Sequence, residues 1–234
     1  MALPKLNTMT YELELPSNGK TIKYRPFLVK EQKILMIAQE SEEDKQIENA
    51  FAQIITDCTF GELDPYDMAM FDLEYVFLQL RSKSVGEKVK LKLICPDDNE
   101  TEVEVEIDLK NVDVQMTKDH TNIIELTKSI SIVMKYPCLS DMEGFDPQGQ
   151  IVELFEMIKR CVLEIRDGKT VYNKVDISNK ELDQFIDSMS TENFQEVSNF
   201  FETMPKLRHV IKVTNPKTKK KSEIPVEGLQ SFFD

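Results

Sequence analysis

The 234-residue chain has no tryptophan, only seven glycines, two histidines and four cysteines. Each scarcity removes a class of chemistry. The glycines form neither a G-x-x-x-x-G-K-[ST] loop nor G-x-G-x-x-G, so a nucleotide site would lack its usual phosphate cradle. Cys58, Cys95, Cys138 and Cys161 stand far apart without a C-x-x-C pair, which argues for reduced thiols in a cytosolic setting. His120 and His209 stand in no motif with a Cys or Ser, and there is no G-x-S-x-G. No stretch reaches 18 consecutive apolar residues, and MALPKLNTMTYELELP has no apolar run of the signal-peptide kind. Neither a membrane span nor secretion is expected. Basic charge is short as well: 29 Lys and Arg against 42 Asp and Glu give −13, which counts against general nucleic-acid binding and against rest on an anionic membrane.

What is present is an ordinary globular balance, 41% hydrophobic and 30% charged, with thirteen Phe and eleven Met for bulk. The acid is uneven. Residues 206–222 hold seven basic side chains and no acidic one, so the rest of the chain carries −20 of the net −13. An acidic body with a basic appendage suits protein–protein docking, and a solvated Lys-rich turn that protects a strand edge suits it equally.

Period-two alternation predicts a hairpin over residues 10–25, turning at Pro16-Ser17-Asn18-Gly19 and stopped by Arg25-Pro26-Phe27. A first helix is expected from Lys30 to Glu40 with Leu28, Ile34, Leu35, Ile37 and Ala38 inward. Ser41 and Asp44 read as a capping-box-like start of a second helix, with Ile47, Ala50, Phe51, Ile54 and Cys58 on one face. Cys58 there is core filler rather than a nucleophile. A third helix, capped by Asp64 with Pro65 in its first turn, carries the stripes Met70, Leu73, Phe77, Leu80 and Phe71, Tyr75, Leu78. Apolar over most of its circumference, it belongs at the centre.

After Gly86, Val89, Leu91 and Leu93 alternate with Lys88, Lys90 and Lys92, and past a Cys95–Asn99 turn Val103, Val105 and Ile107 alternate with Glu102, Glu104 and Glu106. One strand therefore offers lysines and the other glutamates across a hairpin. Further strands are expected at 112–116, 123–126 and 130–136. The Pro- and Gly-bearing stretch 137–150 marks a lobe boundary. Beyond it come a helix stripe Ile151, Leu154, Phe155, Ile158, Val162 and Ile165, a tight turn at 166–169 and a strand at 170–172. A Ser178–Glu181 capping box then opens a helix with Leu182, Phe185, Ile186 and Met189 inward. A helix from Ser190–Thr191 carries Phe194, Val197, Phe201 and Met204, and Pro205 ends it. A last hairpin turns at Asn215-Pro216-Lys217-Thr218.

The expected fold class is thus α+β, with helices packed on antiparallel hairpins and sheet. Two similar lobes, 1–136 and 137–234, each hold a helix-strand-turn-strand unit, and the two could form one compact whole. The turns Cys95-Pro96-Asp97-Asp98 and Asn215-Pro216-Lys217-Thr218 resemble zinc-ribbon knuckles, yet they offer one thiol where a structural zinc needs four Cys or His ligands. Asp97-Asp98-Asn99 lacks the glycine and terminal Glu of an EF-hand. No catalytic, cofactor or metal residue is assigned.

Four blocks point to a family: Tyr24-Arg25-Pro26-Phe27-Leu28-Val29-Lys30-Glu31, the run FDLEYVFLQLRSKSVG over 71–86, Met134-Lys135-Tyr136-Pro137 and the closing EGLQSFF over 227–233. Together they resemble the baseplate hub assembly proteins of T-even-type myophages. The resemblance implies a non-enzymatic, chaperone-like or structural role in building the tail hub. It implies other hub proteins as partners, and a place in the host cytoplasm during assembly or in the virion baseplate. The residues expected to meet partners are Arg25, Phe27, Lys30, Arg81, Lys83, Phe232 and Phe233; internal bracing by the arginines and core plugging by the tail phenylalanines are the competing roles. Two other readings stay open: an acidic viral adaptor that binds a host factor, and an enzyme whose site assembles around His120 or His209 with a thiol in reach.

Overall fold

A computed structural model describes residues 6–41, 43–144 and 150–228. The chain divides into two compact units, one made of Met1–Gln115 with Lys206–Asp234 and the other of Met116–Pro205. This differs from a division at 136/137, and the strand pairing gives the reason. Strand β5 (Asp113–Gln115) pairs antiparallel with β10 (Lys206–Thr214), and Gln115 lies opposite Lys206. The chain therefore leaves the first unit and re-enters it at facing positions, and the second unit is an insertion between them.

In the first unit, β1 (Tyr11–Glu14) and β2 (Thr21–Tyr24) form the expected hairpin, with Leu13 opposite Ile22. Gly19 takes φ 69° in its turn, a conformation that suits a residue without Cβ. Helices α1 (Val29–Ser41) and α2 (Asp44–Cys58) follow with almost no linker. That economy changes the expected cap: Ser41 ends α1, donating to the Ala38 carbonyl at 2.6 Å, and Glu43 stands at the N-cap of α2. The α2 stripe is inward as expected, with Ala50, Ile54 and Cys58 buried.

Helix α3 spans Met70–Ser84 and starts five residues later than the Asp64 cap implied. Asp64 instead accepts from the Tyr66 N–H at 3.0 Å, closing a local turn. Phe71, Leu73, Val76, Phe77, Leu78 and Leu80 are all buried, so α3 is the core helix of its unit. Strands β3 (Lys88–Ile94) and β4 (Glu102–Asp108) pair as expected, Leu91 opposite Val105, and the facing charges bond diagonally as Lys88–Glu106 at 2.6 Å and Lys90–Glu104 at 2.8 Å. Strand β10 continues into β11 (Lys221–Glu227), giving a three-stranded sheet β11-β10-β5. Pro225 sits on the edge strand β11, where its missing N–H breaks no ladder.

The second unit is a four-stranded antiparallel sheet β6-β7-β8-β9 with three helices. Its strands are β6 (Ile123–Glu125), β7 (Ile130–Met134), β8 (Val162–Asp167) and β9 (Thr170–Asn173). Helix α4 (Gln150–Cys161) stops before Val162, so Val162 and Ile165 extend the sheet rather than the helix stripe. Both are β-branched, and pairing with β7 satisfies their backbone while their side chains still reach the same core. Ser178 caps α5 (Asn179–Asp187) in a reciprocal capping box with Glu181, and Ser190 caps α6 (Thr191–Thr203). Ile132, Met134, Ile158, Cys161, Leu182, Val197 and Phe200 form the core beneath the sheet. Class and most elements match the expected α+β arrangement. The second helix-strand-turn-strand copy, however, is split, with α6 in one unit and its hairpin in the other.

Candidate functional site

The first of the family-like blocks folds into a buried ionic knot. Arg25 donates through Nη2 to Glu31 Oε1 at 2.8 Å and to the Asp57 carbonyl at 3.3 Å, and through Nη1 to the Pro26 carbonyl at 3.1 Å. Its own backbone N–H bonds the Cys58 carbonyl at 2.9 Å. Glu31, 0% exposed, also accepts the Leu28 N–H at 2.8 Å and lies 3.0 Å from Lys30 Nζ. Burial alone would raise the Glu31 pKa, but the bonds from Arg25, Leu28 and Lys30 outweigh it and bring it down to about 2. Arg25 thereby ties the end of β2 to the start of α1 and the end of α2. Phe27 is buried beside it, its ring 6.5 Å from Phe77.

Pinned this way, α1 turns an apolar stripe outward. Val29 is 81% exposed, Met36 55% and Ile37 53%. With Gln32, Lys33 and Glu40 they line a shallow groove of about 420 Å³ along the helix. The sequence pattern placed Ile37 inward. The buried Glu31 and Ala38 fix the opposite face, which sends Ile37 to solvent. Lys30 stands at the start of this helix with an exposed side chain, paired to Asp57 at 3.4 Å.

The basic last turn of α3 is also partly engaged. Lys83 Nζ lies 3.0 Å from Glu87 and 5.7 Å from the centre of the Tyr11 ring, and Lys110 reaches the same Glu87 at 2.6 Å. Burial lowers the Arg81 pKa. Asp72, 1% exposed on α3, accepts the Ser17 N–H at 3.0 Å and so fastens the β1–β2 turn to the core helix. Phe232 and Phe233 lie outside the described residues. In the basic tract, Arg208 pairs with Glu227 at 3.0 Å and Lys212 with Glu223 at 3.5 Å, while Lys217, Lys219, Lys220 and Lys221 are exposed.

His209 lies in β10 opposite Val226, and His120 lies in an aromatic cluster. The His120 ring stacks on Tyr136 at 5.6 Å and meets Phe200 at 5.2 Å, with Nδ1 3.0 Å from the Thr203 hydroxyl. Burial lowers its pKa, as for a ring held neutral in an aromatic cluster. A groove of about 690 Å³ along β6 and α6 has neither His nor Cys in its lining. The four thiols are free and buried, and burial pushes Cys58 and Cys161 up to about 12. The Cys138 thiol donates to Asp141 at 2.8 Å, and Lys135 bonds the same carboxylate at 2.6 Å, which closes the turn Leu139–Met142 after β7. Among the described residues no three Cys, His, Asp or Glu side chains are placed to hold a metal, and no helix is long and apolar enough to cross a membrane.

Sequence reasoning missed Glu31, Asp72 and Asn215 as buried polar anchors. Glu31 carried a signal, since a Glu at the third helical position is where a capping carboxylate sits. Asp72 carried none, because nothing near it in sequence distinguishes a buried carboxylate from a solvated one on a helix.

A family model described as "T4 bacteriophage base plate protein" matches residues 8–234. No curated protein and no solved structure matches the chain.

Proposed function

The chain belongs to the T4 bacteriophage base plate protein family, and from that premise we propose that it acts without catalysis, as a chaperone-like assembly factor of the tail baseplate hub. It binds other hub proteins in the host cytoplasm as the tail is built. The outward stripe of α1 carries this reading, because Val29, Met36 and Ile37 expose apolar area that a partner would cover. Lys30 and Lys33 flank the stripe, and the Arg25–Glu31 knot with Phe27 holds the helix in register beneath it. Arg81 and Lys83 at the end of α3 are a second candidate contact, and Phe232 and Phe233 are kept as partner contacts on the sequence alone. The partner is a hub component offering an apolar groove, since Val29, Met36 and Ile37 recur at i, i+7 and i+8 along α1, the pattern of a helix laid into a groove.

Co-expression of the tagged chain with the hub proteins tests this. A stable complex is expected, and M36D/I37D should lower the captured partner at least about tenfold while the melting temperature stays put. Failure to hold any hub component, or an M36D/I37D protein that binds as wild type does, removes the reading.

A further inference from the structure

Two hairpins of the first unit end in turns of one geometry. In the turn after β3 the Asn99 N–H bonds the Cys95 carbonyl at 2.9 Å, and Asn99 takes φ 54°. In the turn after β10 the Lys219 N–H bonds the Asn215 carbonyl at 2.9 Å, and Lys219 takes φ 65°. Each turn has proline second and a left-handed residue fifth, so both backbones follow one path over residues 95–99 and 215–219. Apart by 120 residues in sequence, the turns meet in space. Asn215 Nδ2 donates to Asp97 Oδ1 and to Asp98 Oδ2, both at 2.9 Å, and the Thr218 hydroxyl donates to Asp97. Cys95 and Asn215 are buried at 0% and 1% exposure.

That is the layout of a pair of metal knuckles, in which the first and fourth positions of two such turns supply four ligands to one tetrahedral ion. The Asn215 side chain does what a first-position thiolate does in such a turn. Its Oδ1 accepts the N–H groups of Lys217 at 2.8 Å and Thr218 at 3.2 Å, while its other end crosses to the opposite turn. Asp98 stands at the fourth position of the first turn. It accepts from Thr101 N–H at 3.0 Å and Glu100 N–H at 3.1 Å as well as from Asn215. Cys95 is the single thiol among the four positions.

We propose that residues 95, 98, 215 and 218 are the ligand positions of a zinc-ribbon-type clasp in which a carboxylate–amide–hydroxyl network performs the crosslink a metal would. The clasp joins the β3–β4 and β10–β11 hairpins, and so ties the chain after the insertion to the chain before it.

Restoring the ligands is the test. D98C/N215C/T218C, with Cys95, should take up one Co2+ per chain with the visible absorption of a tetrathiolate site, be displaced by Zn2+, and bind at least about a thousandfold tighter than wild type. Adding C95S should abolish the tetrathiolate spectrum. A folded triple variant with no gain in metal binding overturns the proposal, and so does wild-type protein that holds stoichiometric zinc. If the triple variant does not fold, a cycle of N215A against D97A/D98A decides. The clasp predicts losses in urea midpoint that are clearly less than additive, because either change opens the same link; additive losses overturn it.

Discussion

Glu31 shows how one side chain holds a surface in place. A carboxylate with no exposure survives burial only because Arg25, Lys30 and the Leu28 N–H all donate to it. Its removal leaves the Arg25 guanidinium among carbonyls without an anion, so E31A should cost about 3 kcal/mol in urea unfolding. The pH dependence has a definite sign. The folded-state pKa of about 2 lies below the ordinary 4.5, so the stability that Glu31 contributes is present above 4.5 and lost as pH falls toward 2. The gap between wild type and E31Q should therefore be widest near neutrality and close progressively below pH 4.5. A gap that stays constant down to pH 2.5 would show that the carboxylate is not held as an anion. Cys58 illustrates the opposite outcome: burial outweighs the nearby Arg25 and Lys30 charges, and the thiol stays protonated as core filler.

At the scale of elements, local chemistry and tertiary demand agree in some helices and conflict in others. Helix α5 is set locally. Ser178 accepts the Glu181 N–H at 3.3 Å, and Glu181 returns the bond to the Ser178 N–H at 2.9 Å. S178A should cost about 1 kcal/mol with an unchanged denaturant slope, measured by far-UV circular dichroism in urea. Helix α1 is set by its neighbours instead. Its apolar residues surround the helix, so period alone cannot say which face is inward, and the Arg25–Glu31 knot decides. Helix α4 ends where β7 offers a pairing partner to Val162, which no single-segment pattern contains.

For the whole molecule, the facing of Gln115 and Lys206 makes the second unit removable in principle. Deleting residues 116–205 and joining the ends with Asn-Gly converts β5 and β10 into a two-residue hairpin. The shortened chain should unfold cooperatively, keep the α3 core and retain the clasp between the two turns. A molten product, with native-like far-UV signal but no sharp transition, would show that the first unit depends on its insertion. The acidic excess is carried by both units, whereas the exposed lysines 217, 219, 220 and 221 cluster at one turn of the first.

By itself the sequence determined the α+β class, the β3–β4 hairpin with its lysines facing glutamates, the two serine-capped helices and the membership that residues 71–86 signal. These rest on neighbours within about twenty residues, where periodicity, caps and cross-strand charge act directly. The tertiary structure alone decided three things. It placed the last hairpin with the first unit, it turned Met36 and Ile37 outward, and it brought Asn215 onto Asp97 and Asp98. Each depends on contacts between residues far apart in the chain, and the side chains concerned look the same in sequence whether they are solvated or buried. The two knuckle-like turns could be read from their prolines; that they close on one another could not.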